Sequence, residues 1–262
     1  MPSPPSSPAR SAVLVTGAAK RIGRAIAIEL AAHGRDVAVH CHGTLVEAEA
    51  TLAELRAAGA RAEAFTADLG DEGQARALIP AVLARFERLE AVVNNASVFE
   101  HDEAATFSYA AMDRHWRVNA AAPVVLAEAL HRHANERGSS GCVVNVLDQR
   151  LWNPNPDHFS YTLSKAALEA ATTMLAIALA PSVRVCGVAP GVTFPSGPMC
   201  DAQFEQAHRL TPLNRSSTAA DVARAVRFLI DSPAVTGTTL LVDGGQHLTP
   251  QRRDVRFLTE AR

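Results

Sequence analysis

The sequence predicts an α/β fold built on one doubly wound parallel sheet, and three observations predict it. Short, almost wholly apolar runs recur along the chain, as expected of strands buried on both faces. Helical patterns lie between these runs, which is how a parallel sheet makes its crossovers. The first apolar run passes directly into a glycine turn and then a helix, the geometry that aims backbone N–H groups at a pyrophosphate. With 262 residues, 48% of them hydrophobic, the chain can bury one large core. Single domains of this class often run to about 250 residues.

In order, Ala12–Val15 reads as the first strand. It leads into Thr16-Gly17-Ala18-Ala19-Lys20-Arg21-Ile22-Gly23, after which Ile22, Ile26 and Leu30 repeat at helical spacing. Further strands are expected at residues 37–39, 62–65, 91–93, 143–146, 183–188 and 239–242, giving seven. Helical patterns fall near residues 44–58, 71–86, 107–136, 159–180 and 219–231, with a break at 119–123. Residues 189–218, rich in Pro, Gly, Ser and Thr, read as a mobile lid over a site. Residues 1–10 read as a disordered Pro/Ser tail, 11–248 as the single domain with helices on both faces of its sheet, and 249–262 as a C-terminal tail.

Composition excludes several classes of function. A formal charge of −2 leaves no basic stripe for nucleic acid. No run approaches the roughly 20 apolar residues of a membrane helix, and the first residues lack the apolar core of a signal peptide. Four cysteines and ten histidines show no metal-binding or redox spacing, so no metal is expected. Scattered cysteines fit a reducing, cytoplasmic setting.

Tyr161 and Lys165 stand four residues apart, on one face of the helix expected at 159–180. There a lysine ammonium can depress a phenol's pKa and let it exchange a proton near neutral pH. Asp148 lies just upstream.

With these pieces in order, the chain resembles the short-chain dehydrogenases/reductases over residues 11–248. The Rossmann-like order of motifs carries the resemblance: the 16–23 turn, Asp68-Leu69, Asn94-Asn95-Ala96, Asn119, Tyr161 with Lys165, Pro190-Gly191, and Asp243-Gly244-Gly245. Within that family it is most similar to pteridine reductases and bacterial dihydromonapterin reductases. Arg21 falls where those enzymes place an arginine beside the cofactor phosphates and the pterin. Ser97 and Phe99 fall where they hold the bicyclic ring, and Asp148 replaces the family's usual serine. Residues 40–44 match the segment facing the adenosine phosphate, with Gly43 where an arginine is common.

The resemblance implies NAD(P)-dependent hydride transfer. An acid after strand two usually selects NAD; here His40-Cys41-His42-Gly43-Thr44 has none, so NADPH is expected, with Lys20, His42 and Thr44 near its 2′-phosphate. It implies that Gly17, Ile22, Gly23, Asn95, Ala96, Pro190 and Gly191 line the cofactor, that Asp68 with Leu69 meets the adenine, and that Thr193 holds the carboxamide. Tyr161 and Asp148 would protonate a pterin ring nitrogen, Lys165 would bind the nicotinamide ribose, and Asn119 would hold a water linking Lys165 to solvent. Ser97 has two readings, a bond to phosphate or pterin and a turn residue. Trp152 likewise either walls the substrate pocket or packs its own loop. A generic carbonyl reductase and a non-catalytic NADP-sensing protein are the rival functions. A homotetramer is expected, paired through residues 107–136 and 159–180, whose Ala166, Ala167, Ala170, Ala171 and Ala176 would permit close approach.

Overall fold

The computed structural model describes residues 10–43, 45–195 and 199–259. Most of the expected N-terminal tail, residues 1–9, and Thr44 lie outside the described residues. Strand β1 (Ala12–Val15) is followed by α1 (Arg21–Ala32), β2 (Asp36–Cys41), α2 (Glu49–Ala57) and β3 (Ala62–Thr66). Next come α3 (Glu72–Leu83), β4 (Leu89–Asn94), α4 (Tyr109–Trp116), α5 (Ala122–Arg137) and β5 (Gly141–Val146). The chain continues through α6 (Phe159–Ala178), β6 (Val183–Pro190), α7 (Asp201–Arg209), α8 (Ala219–Asp231), β7 (Thr239–Val242) and α9 (Val255–Leu258). The strands form one seven-stranded sheet in the order β3-β2-β1-β4-β5-β6-β7. Every pairing is parallel.

Alternation within β1 explains the unbroken apolar run. Val13 and Val15 join Ile26 and Leu30 of α1, Leu55 of α2 and Val226 of α8 in one core. Ala12 and Leu14 join Ile79 of α3 and Leu126 and Leu130 of α5 in the core on the other face. Successive strand residues point to opposite faces, so a strand covered on both sides must be apolar throughout.

The sheet order reverses between β1 and β4, and in doubly wound sheets ligands bind at the carboxyl ends of the strands beside that switch. Three departures from expectation bear on the site. The break expected at 119–123 is a π-helical turn, Arg117–Ala121, rather than a simple interruption, and Pro123 sits in the first turn of α5. Residues 189–218 contain α7, a short helix with only Ala207 buried, too polar to show an apolar stripe. The C-terminal residues up to Thr259 fold back onto the domain, where Val255, Asp254 and Thr259 are buried. No helix among the described residues is long and apolar enough to cross a membrane.

Candidate active site

A cavity of about 660 Å³ opens at the carboxyl edge of the sheet, between the glycine turn, the ends of β4, β5 and β6, and the C-terminal segment. Its floor is the turn after β1. Gly17 has φ +63°, in the left-handed region, and a Cβ on Gly23 would collide with Gly17's carbonyl. Asn95 staples this turn to the end of β4, its Nδ2 donating to the carbonyls of Thr16 at 2.8 Å and Gly17 at 3.2 Å. The Thr16 hydroxyl accepts from the N–H groups of Asn95 and Ala96. Beneath the turn, buried His40 accepts the Gly17 N–H at Nδ1 and meets the Ala67 carbonyl through Nε2 at 3.0 Å. Those two contacts require the neutral Nε2–H tautomer, and burial lowers the pKa of His40 in agreement.

The first turn of α1 carries no acidic residue, and Lys20 at its N-cap makes no side-chain capping bond. Its N–H donors are left for an anion, and the missing Cβ atoms leave room for a backbone-level approach. These residues fit the phosphates of a dinucleotide. Lys20, Arg21, Ile22, His42, Ser97, Pro190, Gly191 and Thr193 line the same cavity. Arg21 takes a left-handed backbone conformation, φ 54°. Its guanidinium donates to the Pro195 carbonyl at 3.4 Å and lies 4.9 Å from the Phe194 ring centroid. Asp68 stands apart from the lining, 3.6 Å from Nδ1 of His42, and Leu69 packs into the core. The fold returns a carboxylate that the stretch after β2 lacks: Glu47 lines the cavity, and a Cβ on Gly43 would stand 2.9 Å from its Oε1. Glu47 thus stands beside the acid-free stretch 40–44 that is expected to face the 2′-phosphate.

The catalytic edge is built by α6 and the loop after β5. Asp102 caps α6, its carboxylate accepting from the Ser160 N–H at 3.0 Å and from the Ser160 hydroxyl at 2.5 Å. That cap fixes Tyr161 one residue later. The Tyr161 hydroxyl donates to Oδ2 of Asp148 at 3.0 Å, while Lys165 Nζ donates to the Val146 carbonyl at 2.6 Å. The expected lowering of the phenol's pKa by Lys165 is not what this arrangement produces. Burial, then the Asp148 charge, raises the pKa of Tyr161 well above its usual value. Burial lowers that of Lys165 to about 8, opposed by Asp148. The phenol is held protonated, its hydroxyl directed at the Asp148 carboxylate.

Phe99 forms the wall opposite. Its ring stacks on His158 with centroids 4.1 Å apart and meets Tyr161 edge-on at 4.6 Å. With 43% of the residue exposed, Phe99 still offers aromatic surface to the cavity. Asn119 is fully engaged: Oδ1 accepts from the Ser97 hydroxyl and the Val98 N–H, and Nδ2 donates to the Val98 carbonyl and the Ser164 hydroxyl. An amide has two donors and one acceptor oxygen with two lone pairs, so this side chain has no capacity to hold the expected water. It pins the Phe99 loop instead. Trp152 is 38% exposed and lies off the cavity lining, which leaves the loop-packing reading.

Two further lining residues, Arg150 and Asp254, carry no local sequence signal. Arg150 is buried between Asp148 and Asp254, with its guanidinium carbon 5.6 Å from the Tyr161 centroid. Its partner is 104 positions away, beyond the reach of any local spacing rule.

The enoyl-(acyl carrier protein) reductase family profile matches residues 17–247. The chain is similar to FolM alternative dihydrofolate reductase 1 of Brucella suis, solved in complex with NADP: 43% identity, TM-score 0.87, covering 93% of this chain and 98% of that one. It is 32% identical to pteridine reductase 1 of Leishmania tarentolae over 93% of this chain and 99% of that protein. It is also 31% identical to the 3-oxoacyl-[acyl-carrier-protein] reductase FabG of Staphylococcus aureus, over 90% of this chain and 97% of that enzyme.

Proposed function

The chain belongs to the short-chain dehydrogenase/reductase family, and from that premise we propose that it is an NADPH-dependent reductase of a pterin ring C=N bond. The observation that carries this reading is the Tyr161–Asp148 hydrogen bond at 3.0 Å beside the aromatic surface of Phe99. A serine in place of Asp148 could orient a carbonyl oxygen, whereas a carboxyl group can relay a proton to nitrogen. Similarity to an NADP-bound dihydrofolate reductase and to a pteridine reductase supports the same chemistry.

Bound NADPH supplies the hydride. Lys20, Arg21 and the N-terminus of α1 hold its phosphates, Lys165 its nicotinamide ribose and Thr193 its carboxamide. Phe99, backed by His158, stacks on the bicyclic ring of a dihydropterin such as dihydromonapterin or dihydrobiopterin, or of dihydrofolate. Tyr161 and Asp148 give a proton to the nitrogen next to the reduced carbon, C6, and the pair regains it from solvent. Dihydropterin, NADPH and one proton thus become tetrahydropterin and NADP+. The setting we assign is the cytoplasm, and the assembly a homotetramer.

A generic carbonyl reductase is the second reading, favoured by the Staphylococcus aureus relative, which is similar over nearly the whole chain. NADPH-oxidation rates with dihydromonapterin, dihydrobiopterin, dihydrofolate and a simple ketone decide between them. Turnover of a dihydropterin well above that of the ketone is expected, with NADPH preferred over NADH. Ketone turnover alone would sink the pterin reading. Equal use of NADH would sink the cofactor reading, with Glu47 and Gly43 the residues to blame.

A further inference from the structure

Arg150 is a buried cation, only 5% exposed and set between two carboxylates. Its backbone N–H donates to Oδ1 of Asp148 at 2.9 Å. One guanidinium nitrogen donates to the Asp157 carbonyl at 3.0 Å and another to Oδ2 of Asp254 at 2.5 Å. Its Nε, 3.6 Å from Oδ2 of Asp148, has no hydrogen-bond partner among the described residues. The guanidinium also lies 5.6 Å from the Tyr161 ring centroid and 5.8 Å from that of Phe99. A buried cation is retained only where anions and hydrogen bonds offset its desolvation.

Asp254 is held as firmly as Arg150. Its N–H donates to Oδ2 of Asp157 at 2.6 Å, and its Oδ1 accepts from the Arg256 N–H at 3.0 Å. Neighbouring Arg253 donates to both oxygens of Asp157 at 2.9 Å. Asn153 ties the start of the segment, donating to the Thr249 carbonyl at 2.7 Å. The C-terminal segment therefore brings a fixed negative charge to the far side of Arg150 from Asp148.

We propose that Arg150, clamped by Asp254, is the positioning residue of the Tyr161–Asp148 pair. The C-terminal segment is then part of the proton-donating apparatus rather than an appendage. This rests on the reading of Tyr161 and Asp148 as that pair. Arg150 holds the Asp148 carboxylate through its own main chain, and the Arg150–Asp254 balance sets the charge the phenol faces. Other charged or titratable groups near Tyr161 are Lys165 on α6, His115 of α4 at 6.5 Å between ring centroids, and His158 across the Phe99 ring. Neither histidine bridges the two carboxylates.

The two members of the clamp act on the Tyr161–Asp148 pair beside them with opposite sign. Arg150 lowers the pKa of Tyr161, whereas Asp254 raises it. Coulomb's law gives the same signs for any acid in that place, whichever of the pair limits the rate. In the reductive direction activity falls as the donor loses its proton, so the alkaline limb of kcat reports it. Arg150→Gln should move that limb to higher pH, and Asp254→Asn to lower pH. Misalignment of the donor should also cut kcat by up to about 10²-fold, with KM for NADPH little changed.

The test is the pH profile of kcat and KM for the native enzyme, both variants and Arg150→Lys, with NADPH and the dihydropterin the native enzyme turns over. NADPH fluorescence titration shows which variants hold cofactor. Opposite displacement of the two limbs, with the native profile largely recovered in Arg150→Lys, is the expected result. Limbs that coincide with the native one, or move the same way, would overturn the proposal by reducing Arg150 to a structural role. If Arg150→Gln does not fold, Asp254→Asn decides alone, since an unmoved or raised limb overturns the idea. A native enzyme that reduces only ketones defeats the pterin reading separately. The same limbs are then read on the ketone.

Discussion

The Tyr161 hydroxyl donates a hydrogen bond to Asp148, so the proposed proton donor spans two side chains. Asp148→Asn keeps the shape but cannot take or relay a proton. Turnover of dihydropterins should fall by about 10²–10⁴-fold, the usual contribution of general acid catalysis, with NADPH affinity retained. Tyr161→Phe is the companion control, because it removes the donor and preserves the ring. Near-native turnover in Asp148→Asn, with none in Tyr161→Phe, would make the aspartate merely structural. Lys165 supplies a second residue-level prediction. Its folded pKa, lowered by burial to about 8, lies below the unfolded value of 10.5. Between those values the unfolded chain binds more protons, so stability rises with pH. The cofactor-free protein should therefore gain thermal stability from this group as pH rises from about 8 towards 10. Melting temperatures across that window should climb more steeply in the native protein than in Lys165→Met. Equal slopes would refute the assignment. Tyr161 and Lys165 were legible in the sequence because four-residue spacing fixes a helical face. Arg150 with Asp254, and Glu47 with Gly43, were not. Nothing in their local sequence says that a distant segment or a returning turn will set those charges together.

At the scale of elements, apolar runs located all seven strands. β5 begins at Gly141, two residues before its β-branched run, because pairing with β4 and β6 extends it through Gly141 and Cys142. Helix α7 has the converse character, since a mostly polar helix with only Ala207 fully buried offers little apolar period to read. The π-helical turn at Arg117–Ala121 shows what a helical pattern alone cannot convey. It places Asn119 where four hydrogen bonds tie the Val98 backbone and Ser97 to Ser164 on α6. Phe99 follows directly, so this one amide fixes the aromatic wall relative to the catalytic helix. Asn119→Ala would leave the part-buried Val98 main chain and the buried Ser164 hydroxyl without those partners, at a cost of about 1–3 kcal/mol. Denaturant unfolding should show that loss, and KM for the pterin should rise as Phe99 is released. An unchanged KM with the stability loss would separate the fold-pinning role from any part in substrate binding.

Over the whole molecule, the outer surface of α6 carries apolar side chains that its own sheet does not cover. Leu163, Met174 and Ile177 recur at helical spacing and are 43%, 68% and 76% exposed. Ala166 and Ala170 leave the same side of the helix open to close approach. Ala176, expected on this surface, is instead buried against the chain's own core. On the neighbouring helical layer, Tyr109, Trp116 and Val124 are exposed as well. Scattered exposed apolar residues need no explanation, but a continuous stripe on one helix marks a contact surface. A homotetramer with two-fold symmetry, pairing α6 and the α4–α5 layer with their copies, would cover it. Light scattering at micromolar concentration should give four times the chain mass. Met174→Lys combined with Ile177→Glu puts charges into the dry centre of that contact and should lower the mass. Burying unpaired charges in an interface costs far more than exposing them on a free subunit. A native protein that scatters as a monomer would refute the assembly. A charged variant that stays tetrameric would instead place the contact on another face.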